Sequence, residues 1–216
     1  MSDDWQSRED FYNSYLARYP LGEGWPSKEY ADRVYSHSTS LFRNYSSNVK
    51  SVIDVGCGAG GLDLFLRSIL AYDKSYLGIE ENDYLLSVAT DRTADQKSKY
   101  LKSRFPDKAL KNETFDWAFV IGTLGTDQKS KSEYDKAFLK EVCCLSRIGI
   151  TVYVNDISLI PHERLESVPG LFAHDPLWIA RTMSEFVSFS EVSIRREELG
   201  RFGCAVDFLI ERPLIS

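Results

Sequence analysis

The chain has 216 residues and a mass of 24.7 kDa, which suits one α/β domain with a short N-terminal extension and no second catalytic domain. Its 26 basic and 32 acidic residues give a net charge of −6 without a dense basic cluster, so nucleic acid is a poor candidate for a partner. No apolar run approaches the ~20 residues of a membrane span, and the N-terminus lacks the features of a signal peptide. We therefore expect a cytoplasmic protein that acts on a small molecule, with no membrane partner.

The cysteines and histidines show no spacing typical of a metal site. The four cysteines contain no CxxC pair, and the three histidines are scattered along the chain. The adjacent Cys143 and Cys144 are read as small apolar residues on a helix in a reducing compartment. The sequence therefore predicts no bound metal.

The first 48 residues are rich in aromatic side chains and contain few long aliphatic ones. This composition predicts helices that cover an edge of a sheet, and Ser27 is a plausible N-cap for one of them. The stretch Gly24-Trp25-Pro26-Ser27 fits either a proline-bearing turn or part of the roof of an active site. Both interpretations stay open from the sequence alone.

An apolar strand that breaks into a glycine-rich turn follows. The strand runs over residues 52–55 and contains Asp54, and the turn contains Gly56, Gly58 and Gly60. Glycines let the backbone adopt positive φ and let a ligand approach bare peptide groups. The apolar positions of residues 62–70 have the spacing of a helix packed on a sheet. Strand, turn and helix form the first half of a nucleotide-type binding unit.

A second short strand, residues 76–80, ends at Glu80. In such units this is where a carboxylate accepts hydrogen bonds from both ribose hydroxyls. The alternative is that Glu80 and Glu81 are solvated acids at the end of a strand. The spacing from the glycine turn favours Glu80 as a binding residue.

The glycine turn satisfies two motifs at once, GxGxxG and DxGxGxG. The first is typical of dinucleotide sites, where the turn faces a dianionic pyrophosphate. Asp54 disfavours that ligand because its carboxylate would add negative potential beside the phosphates. S-adenosylmethionine instead carries an ammonium and a sulfonium, both of which a nearby carboxylate stabilises. Asp54 therefore favours the sulfonium cofactor.

The rest of the chain alternates helices and strands. We predict a helix over residues 83–93, strands over 100–103 and 115–122, a helix over 132–145, a strand over 148–154, a helix carrying Ile179, Met183 and Phe186, and strands over 192–196 and 204–210. This order predicts an α/β fold with a doubly wound, mainly parallel seven-stranded sheet that ends in a C-terminal antiparallel hairpin.

At VIDVGCGAG, residues 52–60, and LGIEEND, residues 77–83, the chain resembles the class I S-adenosylmethionine-dependent methyltransferases, which share a Rossmann-like fold. Weaker matches extend over nearly the whole chain and resemble a small bacterial and phage-type group with no agreed substrate. They are Gly24-Trp25-Pro26-Ser27, Phe115-Asp116-Trp117 leading into Ile121-Gly122-Thr123, Asp175-Pro176, and Phe208 to Arg212. The resemblance implies an N-terminal helical cover over residues 1–48 and a methyltransferase domain over residues 49–216.

The resemblance also implies roles for individual residues around S-adenosylmethionine. The turn glycines would line the methionine part, Asp54 would hold its amino group, and Glu80 would bind the ribose. Ile121, Gly122 and Thr123 would border the sulfur and the acceptor. Many relatives hold the adenine with an acid after the third strand, where this chain has Ser103 and Arg104. The predicted cofactor-binding residues are Asp54, Gly56, Cys57, Gly58, Gly60, Glu80, Glu81, Ser103, Ile121 and Gly122.

Methyl transfer from a sulfonium is an in-line displacement that depends mostly on alignment, so the sequence assigns no catalytic residue. If the acceptor were a hydroxyl, a general base would be needed. Asp127, Asp156, His162 and His174 are positional candidates, and none is assigned. Asp116 is interpreted as structural. Two other functions remain as hypotheses: an NAD-dependent oxidoreductase, and a non-catalytic binding protein that retains the fold.

Overall fold

The computed structural model describes residues 25–93, 96–107, 110–124, 131–163, 173–197 and 202–211. One sheet of seven strands has the order β3-β2-β1-β4-β5-β7-β6. The strands are β1 Ser51–Val55, β2 Ser75–Glu80, β3 Ser98–Lys102, β4 Phe115–Ile121, β5 Ser146–Asn155, β6 Phe189–Arg196 and β7 Gly203–Ile210. The first five are parallel, and β7 runs antiparallel to both β5 and β6. The predicted mainly parallel sheet with its C-terminal hairpin is confirmed.

Helices pack on the sheet, and three of them begin at a capping side chain, Ser27, Asn82 or Asp175. The helices are α1 Lys28–Ser38, α2 Ser40–Arg43, α3 Gly61–Leu70, α4 Asp83–Arg92, α5 Lys131–Leu145 and α6 Pro176–Ser184, with a short 3-10 helix at Ile157–Leu159. Ser27 caps α1 as predicted, because its Oγ accepts a hydrogen bond from the Tyr30 N–H at 3.2 Å. No helix among the described residues is both long and apolar enough to cross a bilayer.

Several boundaries differ from the sequence expectations. Strand β3 covers Ser98–Lys102 instead of residues 100–103, and β6 begins three residues before the predicted Val192. Helix α6 ends at Ser184, so Phe186 lies beyond the helix, although it still packs against the core. In each case tertiary packing and strand pairing extend or shorten an element that periodicity alone places approximately.

Two apolar clusters lie on opposite faces of the sheet, because successive side chains of a strand alternate between its faces. On β4, Trp117 and Phe119 belong to one cluster, which includes residues of α1, α2 and α3. Ala118 and Val120 belong to the other, which includes residues of α5 and α6. Every residue of β4 is buried. Helices thus cover both faces of the sheet, as the continuous apolar run of β4 predicts.

The N-terminal helices lie on a face of the sheet and not along its edge, where the sequence placed them. The buried Phe42 of α2 contacts the rings of Trp117 and Phe119 edge-on, with centroids 5.4 Å apart in both pairs. Aromatic side chains are stabilised by covering such an apolar surface. Residues 1–24 of the predicted helical cover lie outside the described part of the chain.

The strand order reverses direction at β1. Strand β1 pairs with β2 on one side and with β4 on the other. In open α/β sheets, ligands bind at the carboxyl ends of the strands at such a switch point. A ligand is therefore expected beside the turn after β1 and the segment after β4.

Candidate functional site

The glycine turn after β1 folds over the end of β2. The N–H groups of Gly56 and Cys57 both donate to the Ile79 carbonyl oxygen, at 2.8 and 2.9 Å. Gly56, Gly58 and Gly60 all have positive φ, as the sequence predicts for a turn of this kind. A Cβ on Gly58 would meet no atom within 4 Å. The peptide at Gly58 therefore faces open space that a ligand can occupy.

Thr123 locks this turn to the segment that follows β4. Its Oγ1 donates a hydrogen bond to the Val55 carbonyl oxygen at 3.0 Å. A Cβ on Gly56 would lie 2.1 Å from that Oγ1, so only glycine leaves room for the threonine. The resemblance placed Thr123 beside the sulfur and the acceptor, and its contact with the turn was not predicted.

The carboxylate of Glu80 spans the turn and the start of α4. Its Oε2 accepts from the Gly58 N–H at 3.0 Å, and its Oε1 accepts from the Asn82 N–H at 2.9 Å. Burial raises the pKa of Glu80, while the two backbone donors act in the opposite direction. Glu80 is thus held beside the turn, as the spacing predicts.

Asp54 is the buried carboxylate of the site. It is 2% exposed, and its Oδ2 accepts a hydrogen bond from the Tyr76 hydroxyl at 2.6 Å. Burial raises the pKa of Asp54 to about 7; the Tyr76 hydroxyl opposes this shift, and the nearby Asp63 and Glu80 add to it. Among the described residues, no lysine or arginine forms an ion pair with Asp54. The site therefore holds a carboxylate whose ionised form a cation would stabilise.

An open cleft, with about 320 Å³ of empty space that includes the solvent at its mouth, brings half of the predicted cofactor-binding residues together. It is lined by Trp25, Tyr35, Asp54, Gly56, Cys57, Gly58, Ala59, Leu62 and Ile121. The predicted Asp54, Gly56, Cys57, Gly58 and Ile121 thus share one cavity. Glu80 is joined to it through Gly58.

Trp25 forms an aromatic side of the cleft. Its indole N–H donates to the Tyr35 hydroxyl at 3.2 Å, and its ring stacks on Tyr30 with centroids 5.7 Å apart. The ring also lies over the end of β4, where a Cβ on Gly122 would stand 3.3 Å from the indole. Trp25 of this motif thus lines the cleft. Gly24 lies outside the described residues.

Three predicted binding residues have other contacts in the structure. The Ser103 hydroxyl donates a short hydrogen bond to Asp107. The Glu81 carboxylate lies 4.0 Å from the Arg104 guanidinium. Cys57 packs against Gly78, where a Cβ would lie 2.7 Å from the sulfur. Burial, with the charges of Asp54 and Glu80, keeps the pKa of the Cys57 thiol well above its ordinary value, so this thiol is uncharged.

Of the residues considered as general bases, the three that the structure describes do not line the cleft. Asp156 accepts from Ser158 and from Arg196, whose Nε is 2.7 Å away. Burial opposes ionisation of Asp156, but these partners outweigh it and lower the pKa. His174 is buried, lies 3.9 Å from the Asp135 carboxylate and stacks on Trp178. His162 is exposed, and Asp127 lies outside the described residues.

Asp116 lies at the opposite end of the sheet. Its Oδ2 accepts from the backbone N–H groups of Lys50 and Ser51, and Arg147 pairs with its Oδ1 at 2.9 Å. These contacts join the start of β1 to β4, in agreement with its structural interpretation. Among the described residues, no group of three or more His, Cys, Asp or Glu side chains could hold a metal ion.

No protein-family profile matches the chain. Over 123 residues it is 30% identical to sterol 24-C-methyltransferase of Candida albicans, covering 52% of this chain and 31% of that protein. Over 127 residues it is 31% identical to the sterol 24-C-methyltransferase of Schizosaccharomyces pombe, covering 50% and 33%. The chain thus spans about a third of the length of these curated relatives.

Solved structures resemble the chain over more of its length. Magnesium protoporphyrin IX methyltransferase of Synechocystis PCC 6803, with S-adenosylhomocysteine bound, has a TM-score of 0.69 at 15% identity and covers 97% of this chain and 100% of its own. An O-methyltransferase family protein of Burkholderia thailandensis has a TM-score of 0.64 at 11% identity, covering 97% and 61%. The chain therefore has the fold of the class I S-adenosylmethionine-dependent methyltransferases.

Proposed function

We propose that the protein is an S-adenosylmethionine-dependent methyltransferase that acts on a small-molecule acceptor. The observation that carries this proposal is the buried Asp54 beside the open glycine turn. Its carboxylate has a raised pKa and, among the described residues, no lysine or arginine partner. A ligand with an ammonium and a sulfonium would stabilise the ionised form of this group. A dianionic pyrophosphate would do the opposite.

The residues present fit the cofactor along its length. Asp54 would hold the amino group, and Gly56, Gly58 and Gly60 would line the methionine part. Glu80 would accept from the ribose hydroxyls, because each of its oxygens has a lone pair beyond the one used by Gly58 or Asn82. This assignment is supported by the shared cleft and by the position of the turn at the switch point.

The remaining predicted residues are proposed to contribute from the margins of the site. Ile121 and Gly122 would border the sulfur from the end of β4, and Cys57 would contribute its backbone to the turn. Glu81 and Ser103 lie at the ends of β2 and β3, where the adenosyl part would extend. Their backbone positions support the assignment, since both side chains have contacts within the protein.

The bound cofactor would supply an electrophilic methyl group. The protein would supply alignment: Asp54 and Glu80 fix the two polar ends, and Thr123 holds the turn in place. Alignment of this kind supplies about 7–11 kcal/mol in favourable intramolecular cases. A dedicated general base is therefore not required by the proposal.

The comparisons support the identity of the cofactor more strongly than the identity of the acceptor. Sterols and magnesium protoporphyrin belong to the names of the relatives, and they differ from each other. What the named proteins share is the methyltransferase activity. The small-molecule acceptor and the absence of a nucleic-acid partner are proposals supported by the net charge of −6. We also propose a cytoplasmic location. All four cysteines lie in the described part of the chain and are free thiols, as expected in a reducing compartment.

Calorimetry on the purified chain tests the proposal. S-adenosylmethionine and S-adenosylhomocysteine should bind, and NADH should not. Binding of NADH without either adenosyl compound would instead support the oxidoreductase hypothesis. Release of S-adenosylhomocysteine, measured by mass spectrometry across a panel of acceptors, separates an enzyme from a binding protein. Binding without any turnover on that panel would favour the non-catalytic hypothesis.

A further inference from the structure

Two kinds of surface meet in the cleft. The carboxylate of Asp54 and the bare peptides of the glycine turn form a polar part, which the proposed function assigns to the methyl donor. Trp25, Tyr35 and Ile121 form a part made of aromatic and aliphatic side chains. Methyl transfer needs the acceptor next to the donor, so the apolar part is the place for the acceptor.

Trp25 is fixed before any ligand arrives. The Tyr35 hydroxyl accepts from the indole N–H at 3.2 Å, so the polar atom of the ring is already satisfied. Tyr30 stacks on the ring at an interplanar angle of 25°, and Tyr153 meets it edge-on with centroids 6.4 Å apart. A side chain held by three neighbours loses little conformational entropy when a ligand binds against it.

The position of Trp25 depends on Gly122. This glycine has φ +71°, and a Cβ there would press on the indole at 3.3 Å. Its N–H donates to the Tyr153 carbonyl oxygen at 3.0 Å. The end of β4 is therefore shaped to let the indole approach, and Trp25 remains half-buried and in contact with the cleft. A ligand in the cleft would therefore contact the indole.

We propose that the indole of Trp25 is the wall of the acceptor pocket and that it selects an acceptor with a flat aromatic ring. The inference rests on the proposed function, because the acceptor pocket is placed relative to the bound methyl donor. Flat rings stack on an indole face, whereas puckered saturated rings cannot approach it over the same area. Ile121 supplies apolar contact at the same end of the pocket.

The test compares two probes that differ in ring flatness: 2-naphthol and its saturated counterpart decahydro-2-naphthol. Their dissociation constants are measured by ligand-observed NMR on the full chain saturated with S-adenosylhomocysteine. We expect 2-naphthol to bind about tenfold more tightly. Trp25→Ala should weaken 2-naphthol by about tenfold, and Trp25→Phe should keep its affinity within about threefold of the original.

Trp178→Ala is the matched control, because Trp178 packs with the cluster on the opposite face of the sheet. It should leave the binding of 2-naphthol unchanged. Equal binding of the two probes, no binding of either, or an equal loss in Trp178→Ala would overturn the inference. A loss of cofactor affinity in Trp25→Ala as large as the loss for 2-naphthol would do the same.

The two proposals can fail separately. If S-adenosylmethionine does not bind the unmodified protein in calorimetry, the proposed function fails, whatever the ring probes do. If it binds and 2-naphthol shows no preference over its saturated counterpart, the flat-ring inference fails alone. Thermal unfolding of each variant confirms that a lost affinity does not reflect a lost fold.

Discussion

Asp54 and Asp207 are both buried carboxylates on interior strands of the same sheet, and their surroundings differ. Asp207 on β7 is fully buried and accepts from Arg195 through both Nε and Nη2, at 2.9 and 2.6 Å, while Thr151 donates to its other oxygen at 2.8 Å. Asp54 on β1 accepts from the Tyr76 phenol. One carboxylate thus has a cation supplied by the protein, and the other has a neutral donor.

This difference separates a structural ion pair from a binding site. Around Asp207 the charge is neutralised internally, so burial raises its pKa but Arg195 counteracts the shift. Burial raises the pKa of both carboxylates, but no described lysine or arginine counteracts the shift at Asp54, whose pKa rises to about 7. A buried carboxylate in that condition lowers the stability of the folded protein when ionised. Binding of an external cation beside the carboxylate offsets this loss of stability.

The largest effect is expected from breaking the internal pair. Asp207→Ala leaves the Arg195 guanidinium, 26% exposed, without its carboxylate, and should lower the free energy of unfolding by about 3–5 kcal/mol. Urea denaturation measures this loss. Asp207→Asn, which keeps an acceptor for Thr151, should lose less. Affinity for S-adenosylmethionine in the folded fraction should not change; a parallel loss of affinity would refute the separation of the two regions.

Asp54→Asn sharpens the comparison from the other side. Removing the charge should weaken S-adenosylmethionine by about 2–3 kcal/mol, the range of a hydrogen bond to a charged group, as measured by calorimetry. The stability of the ligand-free protein should change in the opposite direction. Because the folded state raises the pKa of Asp54 from 3.8 to about 7, ionising it destabilises the fold progressively as pH rises through that window.

The asparagine variant removes that penalty, so it should unfold at a higher temperature than the unmodified protein above about pH 7. Below about pH 4 the two should converge, because Asp54 is then protonated in both the folded and unfolded states. Calorimetric melting over this range measures the difference. A variant that is less stable at every pH would show that Asp54 has a structural role like that of Asp207.

Glu80→Ala tests the second carboxylate. It should weaken S-adenosylmethionine by about 1–3 kcal/mol, because the ribose hydroxyls and the N–H groups of Gly58 and Asn82 lose their acceptor. Glu80→Gln is the control, since its amide retains one oxygen and should lose less. Unchanged affinity in the alanine variant would remove Glu80 from the site.

The smallest predicted effect is a dependence of cofactor affinity on pH. The free protein must ionise Asp54 before the ammonium of the cofactor can pair with it, and its pKa is about 7. Affinity should therefore fall about tenfold, or 1.4 kcal/mol, for each pH unit below about 7 and level off above it. Calorimetry at several pH values measures the slope. Its persistence in Asp54→Asn would assign the titration to another group.

The parts of the site that were predicted lie close together along the chain. Asp54, the glycine turn and Glu80 belong to one strand–turn–helix–strand unit, and local spacing indicates their positions. The partners of these residues come from register and packing. Tyr76 reaches Asp54 from a neighbouring strand, and Thr123 reaches the turn from a segment more than sixty residues away. No local pattern encodes such contacts.

The same limit explains the expectation for Ser103. Its place after β3 suggested an adenine contact by resemblance, but four residues later the chain supplies Asp107, to which the hydroxyl donates. The fold class was easier to predict, because each buried strand is a continuous apolar run and the order of elements restricts the topology. The position of Trp25 required the structure, since it depends on Gly122 and on rings from two separate elements, α1 and β5.

Helix α1 is attached to the C-terminal hairpin, and this attachment affects how the cleft can change. His37 of α1 and Arg195 of β6 exchange contacts, the Arg195 Nη1 donating to the His37 carbonyl oxygen at 2.8 Å and the His37 imidazole contacting the Arg195 carbonyl oxygen at the same distance. The glycine turn is instead fastened to Ile79 of β2. Under the proposed function, substitutions in the hairpin would therefore displace α1 and alter the acceptor side of the cleft, while the turn that would hold the methyl donor stays attached to β2.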